Sequence, residues 1–90
     1  MNPMAKKSCL SRLGRIEGQV RGITRMIEED RYCIDVITQL QAAKAALNRV
    51  EDELLRDHVA HCVAHAIENG NEEERRQKID ELMEAVSRSR

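Results

Sequence analysis

Apolar residues return along this chain at helical spacing. In the first third, Leu13, Ile16, Val20, Ile23 and Ile27 follow one another in steps of 3, 4, 3 and 4. That rhythm predicts a helix over roughly 4–29 with a narrow apolar seam. The Glu28–Arg31 stretch marks its end. Over roughly 32–69, Val36, Leu40, Ala43, Leu47, Val50 and Leu54 step by 4, 3, 4, 3 and 4, a second and longer seam. Asn69-Gly70-Asn71 should stop this helix, with Gly70 as a left-handed cap. A third helix over roughly 72–88 opens on Glu72, Glu73 and Glu74, which suit a helix N-terminus. It gathers Ile79, Leu82, Met83 and Val86 on one face. No run alternates with period two between turn residues, so strands are not expected. Gly14, Gly18 and Gly22 lie on a different side of the first helix from its seam. Each costs roughly 1 kcal/mol of helix propensity against Ala. Such a stripe either admits another backbone, a phosphate backbone included, or simply weakens the helix.

Composition narrows this all-α reading to one small domain spanning 1–90. The chain has 90 residues, with neither Trp nor Phe, and Tyr32 as its single aromatic. So short a chain with so few large side chains cannot build a thick core alone, and oligomerisation is the first expectation. The formal net charge of −1 conceals an asymmetry. Residues 1–27 carry six basic residues against one acidic, and residues 50–90 carry six basic against eleven acidic. A basic arm on an acidic body suits a nucleic-acid partner and equally suits attraction between subunits. No apolar run approaches the roughly 18 residues of a membrane span, and the first residues lack the apolar stretch of an export signal. Three cysteines, an odd number, fit a disulfide framework poorly. A cytoplasmic protein whose thiols serve metal binding or redox sensing is expected. Neither a phosphate-binding loop nor a nucleophile–base pair stands out, so an enzyme is not expected. A helix-turn-helix is not evident either, because the second helix is too long for that motif.

The chemistry gathers at Cys33, His58 and Cys62. His58 and Cys62 are four apart and share a helix face. Cys33 lies 25 residues before His58, which at 100° per residue comes within about 20° of whole turns. All three therefore fall along one stripe. Along a straight helix Cys33 and His58 would be roughly 38 Å apart, so one helix cannot bring them together. Two copies running antiparallel, with a two-fold axis near Leu47, can. A symmetric dimer then holds two equivalent sites. Two thiolates and an imidazole are a soft, three-coordinate set that favours Cu(I), with Zn(II) the main rival. A structural zinc site would want a fourth ligand, and no further His or Cys lies on the stripe. His61 and His65 read as packing or surface histidines, and Cys9 as an incidental thiol. Taken one at a time, Cys33 and Cys62 would read as small buried apolar side chains.

Two stretches, RLGRIEGQVRGITRMIEEDRYCIDVITQL at 12–40 and HVAHCVAHAIENG at 58–70, resemble the CsoR family of copper-sensing operon repressors, within the wider CsoR/RcnR/FrmR group. The resemblance covers almost the whole chain. It implies a three-helix protomer forming an antiparallel helical-bundle dimer, paired into a homotetramer. It also implies a repressor that holds operator DNA in its metal-free form and leaves it on binding Cu(I). By position, Cys33, His58 and Cys62 match the family's Cu(I) ligands, with Cys33 from the other subunit. Tyr32 and Glu81 match the residues behind the ligating His, Glu81 being reached with about three extra residues after Gly70. Arg12 and Arg49 match basic residues tied to operator binding, and Arg15, Gln19 and Lys44 extend that surface. Gly14 stands where relatives often carry a basic residue. The arm before Arg12 lacks the His that nickel- and cobalt-sensing relatives supply there, which favours copper.

Without a recognition helix, DNA binding should rest on phosphate contacts and duplex shape. Two other readings compete. One is a persulfide or thiol-oxidation sensor of the same fold using Cys33 and Cys62, against which His58 argues. The other is a copper-buffering protein that never binds DNA, against which the basic first helix argues.

Overall fold

The computed structural model describes residues 1–88. Its helices are α1 (Pro3–Glu28), α2 (Cys33–Asp57), α3 (Ala64–Asn69) and α4 (Glu72–Arg88). A π-helical turn, His58–Val63, joins α2 to α3. There is no strand among the described residues. The three helical stretches stand where the hydrophobic rhythm places them. The chain forms two compact units, Pro3–Leu54 and a second made of Met1–Asn2 with the residues from Leu55 onward.

In the first unit α1 and α2 are antiparallel neighbours. Their packing uses only half of each predicted seam. Cys9, Ile16 and Ile23 are buried on α1, seven residues apart, as are Ala43 and Val50 on α2. Cys9, Ile16 and Val50 form one cluster, with Ala46 and Leu54 packed against it. Cys9 is therefore a core residue and not an incidental thiol. The other half of each seam stays open: Val20 and Ile27 are 50% and 60% exposed, Leu40 and Leu47 42% and 47%. Among the described residues the glycine stripe meets no other part of the chain, since a Cβ at Gly14, Gly18 or Gly22 would find no atom within 4 Å beyond its own helix backbone and chain neighbours.

The turn between α1 and α2 closes on Asp30 in the left-handed region, at φ 53°. Arg31 N–H donates to Met26 O at 2.9 Å and Asp30 N–H to Ile27 O at 3.1 Å. This is the Schellman pattern, with Asp where Gly is usual. Asp is among the few residues that adopt this conformation. Tyr32 O then accepts the amides of Asp35 and Val36 and starts α2.

In the second unit α4 packs on the π turn and on α3. Val63 and Ala66 are the buried residues, with Leu82 and Val86 partly covered. Asn71 Oδ1 accepts Glu74 N–H at 2.8 Å and caps α4, and Glu72, Glu73 and Glu74 fill its first turn. Gly70 departs from expectation. Its backbone is extended, at φ −84° and ψ 164°, so glycine is not needed there for a left-handed cap. It is needed for space: a Cβ would sit 2.5 Å from Ala66 O and 2.7 Å from a Glu74 carboxylate oxygen.

These two corners give opposite expectations. Gly70→Ala should destabilise the fold by about 1–3 kcal/mol, since the backbone oxygen cannot yield as a side chain can. Asp30→Gly should leave stability unchanged or raise it by up to about 1 kcal/mol, by relieving the left-handed residue. Denaturant unfolding of both variants checks the pair, and a harmless Gly70→Ala would contradict the close approach.

Candidate metal centre and basic groove

Helix α2 begins at Cys33 and its thiol is exposed. It shares a shallow hollow with Ile27, Asp30, Arg31, Val36 and Ile37. Tyr32, immediately before it, exposes its ring to solvent. His58 and Cys62 both lie in the π turn. There the Ala64 N–H reaches back five residues to Val59 O, and also to His61 O. A π turn closes i→i+5 hydrogen bonds, so each residue turns the chain less than in an α-helix. The count of 100° per residue therefore stops being valid at His58, and Cys62 follows a wider spiral. Four residues still return to the same side, so the two donors remain neighbours along the turn. His58 is partly buried and Cys62 exposed. Such turns inside α-helices are frequent at functional sites.

Among the described residues no three His, Cys, Asp or Glu side chains of one chain are grouped so as to hold a metal ion. Both cysteines of the predicted set are free and open to solvent. Donors of this kind suit a site shared between two copies. His61 and His65 lie on the surface. His65 Nδ1 is 3.2 Å from Asn69 Nδ2. Glu81 lies on α4, the helix that packs on the π turn. Its carboxylate is 3.6 Å from Lys78 Nζ. Without the extra residues after Gly70, Lys78 would take the place assigned to Glu81 in the family match, and the two pair with each other.

A second feature lies within the α1–α2 unit. Arg12, Arg15 and Gln19 from α1 and Arg49 from α2 line one groove, floored by Ile16 and Ala46. Residues three, four and seven apart on α1 share a face, and the antiparallel neighbour brings Arg49 to it. Lys44 is exposed on α2 and does not line this groove. Arg12 is not a free cation. Its Nε is 3.4 Å from Glu53 Oε2, and the same oxygen accepts the Ser8 hydroxyl at 3.0 Å. Glu53 orients Arg12 at the end of the groove. Nothing in the sequence singles it out, because the pairing depends on how α1 and α2 meet.

A family model described as metal-sensitive transcriptional repressor matches residues 5–88. The chain belongs to that family. It is 48% identical over 83 residues to the copper-sensing transcriptional repressor CsoR of Bacillus subtilis, covering 92% of this chain and 79% of the relative. It is 55% identical over 65 residues to the copper-sensing transcriptional repressor RicR of Mycobacterium tuberculosis, covering 72% and 68%. Among solved structures, the Cu(I) form of the copper-sensing repressor CsoR from Geobacillus thermodenitrificans superposes with a TM-score of 0.88 at 42% identity, covering 98% of this chain and 88% of that one. The nickel-responsive regulator InrS superposes at 0.76 with 39% identity, covering 91% and 89%. Solved structures similar to this chain thus include a copper sensor and a nickel-responsive regulator, and the donor set has to choose between such metals.

Proposed function

We propose that this member of the family is a Cu(I)-responsive repressor of operator DNA. The observation that carries the reading is the donor set. Two free, exposed thiols and one imidazole are what this chain offers, and thiolates select Cu(I) over harder ions. The copper-sensing relatives and the Cu(I)-bound neighbour support the same choice. A rival based on persulfide would leave His58 without a task, and nothing in the structure favours it.

The ligands are His58 and Cys62 of one protomer and Cys33 of the partner subunit. The open halves of the α1 and α2 seams supply the apolar surface for the homodimer that brings them together, and dimers pair into a homotetramer. Cu(I), when bound, supplies a soft acceptor that ties thiolates and imidazole of two subunits together. Tyr32 and Glu81 orient the His58 ring and link it to α4. A hydrogen-bonded outer layer of this kind usually decides how a ligating His is held.

DNA is held by the groove of Arg12, Arg15, Gln19 and Arg49, with Lys44 adding charge beside it. Four cations in one protomer repeat around an oligomer, so phosphate neutralisation alone gives tight and salt-dependent binding. Copper and operator favour different arrangements of the same helices, and linkage makes their opposition mutual. Moving a repressor from almost all bound to almost all free needs about 5.5 kcal/mol of differential affinity. That is beyond one surface contact and within reach of several ligand bonds formed together.

Two outcomes follow. Cys33→Ser and Cys62→Ser homo-oligomers should each bind Cu(I) weakly. Unfolded together and refolded as mixed dimers, they should recover one intact site per dimer, read by competition with a Cu(I) chelator. No recovery on mixing would place all the ligands in one chain and defeat the shared site. Arg49→Ala should weaken operator binding in gel shifts and lower the slope of log affinity against log salt by about 1 for each phosphate the complex no longer neutralises. An unchanged slope would remove the groove from the DNA interface.

A further inference from the structure

The residue just before the π turn makes contacts that the copper reading does not use. Asp57 closes α2, and its side chain is only 9% exposed although it is a carboxylate. A carboxylate so buried needs donors around it. The Asn2 backbone N–H supplies them, at 3.3 Å from Oδ1 and 3.4 Å from Oδ2. His61 Nε2 lies 3.6 Å from Oδ1. The Asn2 side-chain Nδ2 lies 3.4 Å from the same His61 nitrogen and closes the ring of contacts. One carboxylate thus gathers the chain's N-terminal arm, 55 residues away in sequence, and a histidine of the turn itself.

Its position gives this consequence. Asp57 sits where α-helical winding gives way to the π turn, with His58 as the next residue and Cys62 next to His61. Whatever fixes Asp57 and His61 fixes both ends of the segment that presents His58 and Cys62. We propose that Asp57 is a positioning residue, a latch that pins the N-terminal arm to the π turn and so holds the two donors of this turn at the pitch the metal site uses. The proposal rests on the reading of His58 and Cys62 as copper ligands. It adds Asn2 and His61, neither of which is a ligand in that reading, as the other parts of the latch.

The test has a metal-free arm and a metal-loaded arm, both on the full-length chain. In metal-free protein the ¹⁵N-resolved Asn2 backbone amide should lie away from its random-coil position in the wild type and in His58→Ala. It should return to that position in Asp57→Ala. In Cu(I)-chelator competition Asp57→Ala should weaken binding about tenfold, as loss of an outer hydrogen-bonding group does. Asn2→Leu, which keeps the shape and removes the side-chain link to His61, should weaken it about threefold. The double variant should match Asp57→Ala alone, since a freed arm no longer brings the Asn2 side chain to His61. Asp57→Asn, which keeps an oxygen acceptor, should recover most of the affinity. A general loss of stability would instead give additive effects. A wild-type Asn2 amide at its random-coil position overturns the latch, whatever copper does. Wild-type Cu(I) binding with additive single effects overturns the coupling alone. A displaced Asn2 amide in a wild type that takes up no Cu(I) overturns the copper assignment and the coupling with it.

Discussion

The structure depends on a split in its apolar seams. Each long helix carries two rows of apolar residues seven apart, and packing of α1 on α2 closes only one row of each. Cys9, Ile16 and Ile23 are buried on α1 and Ala43 and Val50 on α2, with Cys9, Ile16 and Val50 in one cluster, while Val20, Ile27, Leu40 and Leu47 stay open. Full burial of a Leu, Ile or Val is worth roughly 1.5–3 kcal/mol; these side chains are about half exposed, so the open faces of two protomers together supply about 6–12 kcal/mol, comparable to an association cost of about 4–15 kcal/mol. In the proposed reading a second copy completes both the open apolar row and the donor set, so that assembly and metal sensing would share one surface.

The π turn is where the helix stops being a plain rod. It widens the winding at the point where His58 and Cys62 are presented, and α4 packs against it. That places the two proposed donors in a segment whose hydrogen bonding differs from that of the α-helices on both sides. A change in how these two side chains are held therefore reaches α4 directly, and reaches the N-terminal arm through Asp57. The basic groove, by contrast, rests on the regular α1–α2 pair and on the orientation of Arg12 by Glu53.

Much of this is legible in the residues and some is not. The three helices follow from the 3–4 stepping of Leu13 to Ile27 and of Val36 to Leu54. The grouping of Arg12, Arg15 and Gln19 follows from the same period. The family follows from RIEGQVRGI and the Cys33, His58, Cys62 spacing. The seam residues alone do not tell which half of a seam is closed within the chain, because both rows are equally apolar. Gly70 misleads because its usual use, a left-handed cap, and its use here, clearance from Ala66 O, leave the same letter in the sequence. Cys9 looks idle in the sequence because burial is a tertiary property. The π turn leaves no compositional mark, and the pairs Ser8–Glu53 and Asn2–Asp57 join residues 45 and 55 apart.

The most direct measurement places a charge in the open row and follows assembly and copper together. Leu47→Lys lies at the expected two-fold axis, is already 47% exposed in the protomer and leaves every proposed ligand in place. Sedimentation should show it as a monomer at concentrations where the wild type is assembled, and chelator competition should show that tight Cu(I) binding disappears with assembly. A monomer that still holds Cu(I) as tightly as the wild type would contradict the account, because the three donors would then meet within a single chain.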